Sequence, residues 1–174
     1  MKNTDSSLIA VLIDRRSDVV REWLDRTFRT YPESAGRFLS LERDPFRNPV
    51  GHALKEGLAL LFDRVIENTD LAAARPALDG IIRMRAVQDF TAGQAVAFVF
   101  LLKQAMRGVL QGEIARFPAE YAALEARIDE LALLAFDVFM KCREQIYEIR
   151  ANEAGRRVSL LERAFQMRSP GPTN

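Results

Sequence analysis

Three groups of residues carry what chemistry this 174-residue chain could do. The first is His52, the sole histidine. It falls in the first turn of a stretch that reads as a helix, beside a loop with two prolines and a glycine, Asp44 to Gly51. A histidine there can contact a ligand or make a pH-sensitive hydrogen bond. A half-buried imidazole bonded to a nearby backbone carbonyl is the plainer reading. The second is Cys142, the sole cysteine, on the packing face of the last helical stretch. Such a thiol behaves as a small hydrophobe, because redox work needs exposure and a lowered pKa. The third is a polar knuckle of Arg83, Arg85, Gln88 and Asp89, where one helix ends and the next begins. It can bind an anionic ligand or a partner. It can equally supply the donors and acceptors that helix ends require.

Much chemistry is excluded. One histidine and one cysteine leave no Ser-His-Asp or Cys-His arrangement that can be argued, and no His- or Cys-rich metal cluster. Neither G-x-x-x-x-G-K nor G-x-G-x-x-G occurs. Paired carboxylates occur only as helix surface. The expectation is a protein that is not an enzyme, with no catalytic residue, metal site or cofactor.

The elements that must position these residues are all helical. The most apolar is central. Thr91 and Gln94 form a T-x-x-Q capping box. Ala95, Phe98, Val99, Leu102, Met106 and Val109 then recur at helical spacing. Val96 and Phe100 add a second apolar side, which predicts a helix covered by several neighbours, running towards Arg116. Before it, an amphipathic stretch from about Ser6 to Thr30 reads as one helix, or two broken near Arg16-Ser17, and is ended by Tyr31-Pro32. Glu33 to Leu41 forms a short helix with Phe38, Leu39 and Leu41 as its apolar members. Asn48 caps and Pro49 opens the next helix, with Leu54, Leu58, Leu61, Phe62 and Val65 on one face. Gly51 and Gly57 inside it predict close helix packing. Asn68-Thr69-Asp70 is the following turn, and Leu71 to Met84 the helix after it, with Pro76 near its start.

From Ala119 to about Met167 the chain has no proline and one glycine. Tyr121, Leu124, Ile128, Leu131, Leu134, Val138 and Cys142 give this last helix a packing face. Past Ile149 that face thins to Val158, Leu161 and Phe165, set among charged residues. The second half therefore reads as a helix beyond the globular body, for self-association or a partner helix. Its candidate contacts are Ile146, Ile149, Val158, Leu161 and Phe165. The boundaries drawn are a domain over 1–150, a helical extension over 151–168 and a disordered tail over 169–174.

Charge sets the wider bounds. The net charge is +1, so neither nucleic acid nor an anionic membrane is expected as a partner. No signal peptide is visible, and no apolar run approaches the ~20 residues of a membrane span, so the expected location is the cytoplasm.

Several of these stretches together resemble a known family. Tyr31-Pro32, the loop Phe46-Arg47-Asn48-Pro49-Val50-Gly51, and above all Arg85-Ala86-Val87-Gln88-Asp89-Phe90 followed by Gln94-Ala95-Val96-Ala97-Phe98-Val99 and Leu102-Lys103 carry the likeness. They resemble the RsbRD-type N-terminal domain, the sensory input domain of RsbT co-antagonist proteins of the bacterial stressosome, over roughly Leu8 to Arg150. The resemblance implies an all-α, globin-like helical bundle without haem, a homodimer, and a long C-terminal output helix leading to a STAS domain. In this sequence the long helix ends near Met167 with no STAS domain after it, so a standalone relative that docks onto another protein is expected. A globin-type haem needs a proximal histidine on the helix before the central one, and Leu71 to Asp89 contains none. Three functions follow: a non-enzymatic signalling module working through dimerisation and its C-terminal helix, a carrier or sensor of a small apolar molecule oriented by His52 or Arg85, and a structural subunit of a cytoplasmic assembly.

Overall fold

The computed structural model describes the backbone of residues 7–88 and 90–168, and side chains as far as residue 163. Asp89 and the tail expected over 169–174 lie outside the described residues. Among those described, the chain is all-α. It has seven helices: α1 Leu8–Asp14, α2 Arg16–Phe28, α3 Glu33–Leu41, α4 Pro49–Ile66, α5 Arg75–Val87, α6 Ala92–Leu110 and α7 Pro118–Arg168. Short 3-10 turns lead into α5 and out of α6.

Helix α6 is the centre, as its apolar pattern requires. It packs against α2 on one side and α7 on the other, and α7 also covers α5. Its start is the expected capping box: Thr91 Oγ1 accepts from Gln94 N–H, and Gln94 Oε1 accepts from Thr91 N–H. Phe98, Val99, Leu102 and Met106 are fully buried. Phe100 is not; it stays 44% exposed beside Lys103. The helix is also shorter than expected. It stops at Leu110, because Gln111 takes a left-handed conformation (φ 41°) and a 3-10 turn carries the chain to Arg116.

The break predicted near Arg16-Ser17 falls at Arg15, whose φ and ψ of −96° and 12° leave the helical region between α1 and α2. Two side chains then fix α2. Arg16 grips the Asp63 carboxylate with Nε and Nη2, each at 2.7 Å, tying α2 to α4. Trp23, fully buried and stacked on Phe98, donates its indole N–H to the Phe98 carbonyl at 2.6 Å. Burying a tryptophan costs little when that one donor is satisfied.

Helix α3 packs more thinly than its composition suggests. Only Leu39 is buried, while Phe38 is half exposed and Leu41 is 74% exposed. Nine residues allow one apolar side chain per turn to face inwards, and Leu39 takes that place.

The two glycines of α4 serve different purposes. A Cβ at Gly57 would lie 2.9 Å from Ile81 Cδ1, so here α4 and α5 approach closely, as predicted. A Cβ at Gly51 would instead overlap the Asn48 carboxamide. That group is buried, accepting from Gly51 N–H (2.8 Å) and donating to the carbonyls of Leu39 (2.9 Å) and Glu42 (2.8 Å). Gly51 makes room for a cap that also binds α3 to α4. It does not serve helix–helix packing.

Arg127 on α7 closes the far end of α4. Its Nε donates to Val65 O (3.0 Å), and its Nη2 donates to Arg64 O (3.1 Å) and Thr69 O (2.8 Å). A cation against the last carbonyls of a helix satisfies groups that have no partner within it.

Candidate functional site

The ends of α2, α5 and α6 meet at one corner. Tyr31-Pro32 closes α2, Arg85 lies in the last turn of α5, and Phe90-Thr91 opens α6. The polar knuckle expected there is divided by the helical period. Arg83 and Arg85 are two positions apart, which places them on different sides of α5. Arg83 is exposed and paired with Asp79 at 2.6 Å. Arg85 points inwards and is completely buried.

The environment of Arg85 is unusual for a cation. Its guanidinium carbon lies 4.5 Å from the centroid of the Phe90 ring, 5.1 Å from Tyr31 and 5.5 Å from Phe98. Tyr31 and Phe90 meet edge to face at 5.3 Å, so the rings form a partial cage. Nη2 donates to Thr30 Oγ1 at 2.6 Å and, more weakly, to Gln94 O at 3.4 Å. Nε and Nη1 are buried with no hydrogen-bond acceptor among the described residues. The Tyr31 hydroxyl beside them is likewise buried without a partner. Desolvation pushes Arg85 below the ordinary arginine pKa, with Tyr31 opposing it, and burial pushes the Tyr31 hydroxyl up. Unpaired buried donors of this kind cost roughly 1–3 kcal/mol each. Such a cluster can receive an acceptor, or hold a conformation that costs stability.

Hollows surround the cover of this cluster. One of about 510 Å³ lies between α2 and α3 and is lined by Phe28, Tyr31, Gly36 and Arg37. A smaller one of about 190 Å³, almost wholly apolar, has Tyr31, Phe38, Val50 and the exposed Gln88 at its walls. A groove of about 660 Å³ runs on past Leu39 and Asn48 to His52 and Lys55. Helix α3 borders all three.

His52 lies in that last groove, on α4, about half exposed, with Nε2 3.1 Å from Glu56 Oε1 one turn on. The partner is therefore a carboxylate side chain and not a backbone carbonyl. Gln88 belongs to the apolar hollow, and Arg85 lies buried behind Tyr31. The structure thus brings Arg85 and Gln88 to one corner and sets His52 apart on the α4 side. Tyr31, Thr30 and Phe90 complete the Arg85 cluster. In the sequence Tyr31 stands out as a helix terminator and as part of the family likeness, and its position three residues after Phe28 gives no sign that its ring would meet an arginine of α5.

Cys142 is buried on α7, its sulfur 4.0 Å from Asp79 Oδ1, and burial raises its pKa, with Arg83 opposing. It is a packing thiol. Among the described residues no group of three or more His, Cys, Asp or Glu side chains could hold a metal ion. No described helix is long and apolar enough to cross a membrane.

The second feature is α7 itself, 51 residues and about 76 Å long at 1.5 Å per residue. Its inner face is buried as far as Cys142, and Ile146 still packs against the core. From Tyr147 to Arg163 every residue is exposed. Of the expected contact residues, Ile146 and Ile149 continue the line of the inner face, while Val158 and Leu161 lie on a different line and are exposed. The Phe165 side chain is outside the described residues.

Comparison with curated proteins and with solved structures returns no match. A family model, that of the RsbT co-antagonist protein rsbRD N-terminal domain, matches residues 17–154, from the first turn of α2 into the exposed part of α7. With most of its length and all its central helices inside that match, the chain belongs to the RsbRD N-terminal domain family.

Proposed function

We propose that this protein is a haem-free, globin-like signalling domain of the cytoplasm, not an enzyme, which works by forming a homodimer and by protein contacts through α7, as a co-antagonist of the RsbT type. A body over 1–150 receives the signal and the extension over 151–168 passes it on. The observation that carries this reading is the continuity of α7: one helix packs against α5 and α6 and runs on, unbroken, into a fully exposed segment. A shift of the body then moves the exposed segment without an intervening loop. The family match supports the same class of role. Light scattering on the full chain and on a chain truncated after Ala151 tests it. Loss of the dimer or of partner binding on truncation is expected, and unchanged association would remove α7 from its role.

A second reading is favoured by the Arg85 cluster: a small ligand bound beneath α3, with Arg85 supplying the donors, Gln88 at the rim and His52 in the neighbouring groove. Two nitrogens of a buried arginine that have no acceptor among the described residues, behind a tyrosine that lines two of the hollows, support it. Native mass spectrometry of the protein purified without additives separates the two readings. The bare polypeptide mass favours a module answering to protein partners. Retained mass favours the ligand, and a haem-sized increment would refute the haem-free reading.

A further inference from the structure

We infer that α7 pairs with α7 of a second copy as a parallel, in-register coiled coil, whose seam begins on the globular body. This rests on the dimer reading above and specifies its geometry.

The seam is a stripe of exposed side chains separate from the inner face. On the body it consists of Leu133, which is 69% exposed, with Phe136 and Met140. After Glu144 it resumes with Tyr147, Ala151, Ala154, Val158 and Leu161, all exposed. The successive intervals from Leu133 to Leu161 are 3, 4, 4, 3, 4, 3, 4 and 3 residues. Alternating threes and fours place one side chain per turn on the line where two supercoiled helices touch. The one irregularity, two fours in succession around Met140, locally unwinds a coiled coil. It falls where α7 leaves the body, since Cys142 is its last buried residue. Eight of the nine positions are apolar, and Glu144 is the exception.

The flanks identify the occupant and its direction. With Tyr147, Ala154 and Leu161 as one core line and Glu144, Ala151 and Val158 as the other, one flank is Arg143, Arg150 and Arg157. The opposite flank is Glu148, Gly155 and Glu162. In a parallel in-register pair, each residue of the arginine flank faces the residue five places later on the second copy. Arg143 then meets Glu148 of the second copy, and Arg157 meets its Glu162, twice each by symmetry. Arg150 meets Gly155 and stays in solvent. An antiparallel pair would set the arginine flank against itself and the glutamate flank against itself. The stripe is therefore complementary to its own copy in one direction only. Arg143 is already held beside the seam, its guanidinium 5.0 Å from the Tyr147 ring centroid and bonded to the Tyr147 hydroxyl at 2.9 Å.

Cysteine cross-linking of the full chain tests this, in a Cys142→Ala background whose folding is checked by Trp23 fluorescence. Ala151→Cys and Leu161→Cys should both form disulfide dimers under mild oxidation. Arg156→Cys, on the outer side of the helix, should do so at least about ten-fold more slowly. An antiparallel pair brings only one position near its own copy, so cross-linking at 151 or 161 but not both would overturn the inference. Equal rates at 151, 156 and 161 would overturn it too. Arg157→Glu should weaken the dimer about five-fold, and Arg157→Glu with Glu162→Arg should restore it, from pair energies typical of exposed ions. Failure of that rescue refutes the assigned register. Light scattering keeps the two levels apart. A dimer without this cross-linking pattern overturns the seam and leaves the dimer reading standing, whereas a monomer at about 100 μM overturns both.

Discussion

Replacing Arg127 by methionine removes the clamp between α7 and the end of α4. Three hydrogen bonds are lost, to the carbonyls of Arg64, Val65 and Thr69 at 2.8–3.1 Å. A charged donor to a carbonyl contributes about 1.5–3 kcal/mol when buried and less where water can replace it. Arg127 is partly exposed, so each bond contributes less than that range, about 1–1.3 kcal/mol, giving a gross loss of about 3–4 kcal/mol for the three bonds. Releasing an ordered arginine returns up to about 2 kcal/mol of side-chain entropy, although the methionine in its place is also partly ordered. The net expectation is a destabilisation of about 2 kcal/mol, or roughly 4–8 °C in Tm for a chain of this size. The assay is urea unfolding followed by fluorescence of Trp23, the sole tryptophan, which is buried against Phe98 and so reports the body and not the exposed part of α7. Arg127→Lys should recover less than half of the loss, since an ammonium lacks the fork that reaches three carbonyls. Arg83→Met, which breaks an exposed pair with Asp79, should change stability by less than about 0.5 kcal/mol. If Arg127→Met lies within about 0.5 kcal/mol of the parent, or Arg127→Lys matches the parent, the clamp argument fails.

Asn48→Asp should destabilise by about 2–4 kcal/mol in the same assay, because it keeps the acceptor for Gly51 but turns a carboxylate oxygen towards the buried carbonyls of Leu39 and Glu42; stability within 0.5 kcal/mol of the parent would refute the assigned amide orientation. Cys142 should react with a thiol reagent at pH 8 at least about ten-fold more slowly than an unfolded control, since burial both covers the sulfur and raises its pKa, and a rate matching the control would show an accessible thiolate. Tyr31 and Tyr121 both have pKa values raised by burial, so the unfolded chain loses these protons first. Stability should therefore fall as pH rises through about 10, the unfolded tyrosine value, and a urea midpoint that is flat or rising between pH 9 and 11 would contradict this.

Short-range chemistry made part of this fold legible. Thr91 with Gln94, Asn48 with Pro49, and Tyr31-Pro32 each act within four residues, and each marks a helix end where the sequence places it. What depends on contacts distant in sequence was not legible. Arg127 is about 60 residues from the carbonyls it clamps, and as a residue type it resembles any surface arginine. Arg83 and Arg85 read as one cluster, because only packing decides which side of α5 is turned inwards. The same ambiguity affected α7. Its sequence carries two apolar lines, through Ile146 and through Tyr147, and composition cannot say which one the body takes. The body takes the Ile146 line, and that choice leaves the Tyr147 line free.

The unbroken passage of α7 from body to solvent also has a mechanical consequence. Residues 147–168 make an arm of about 33 Å with its fulcrum at Ile146. A tilt of only about 5° there sweeps the tip through roughly 3 Å, the length of a hydrogen bond. Core displacements too small to disturb the packing of α5 and α6 are thus amplified at the distal end into steps large enough to make or break a contact.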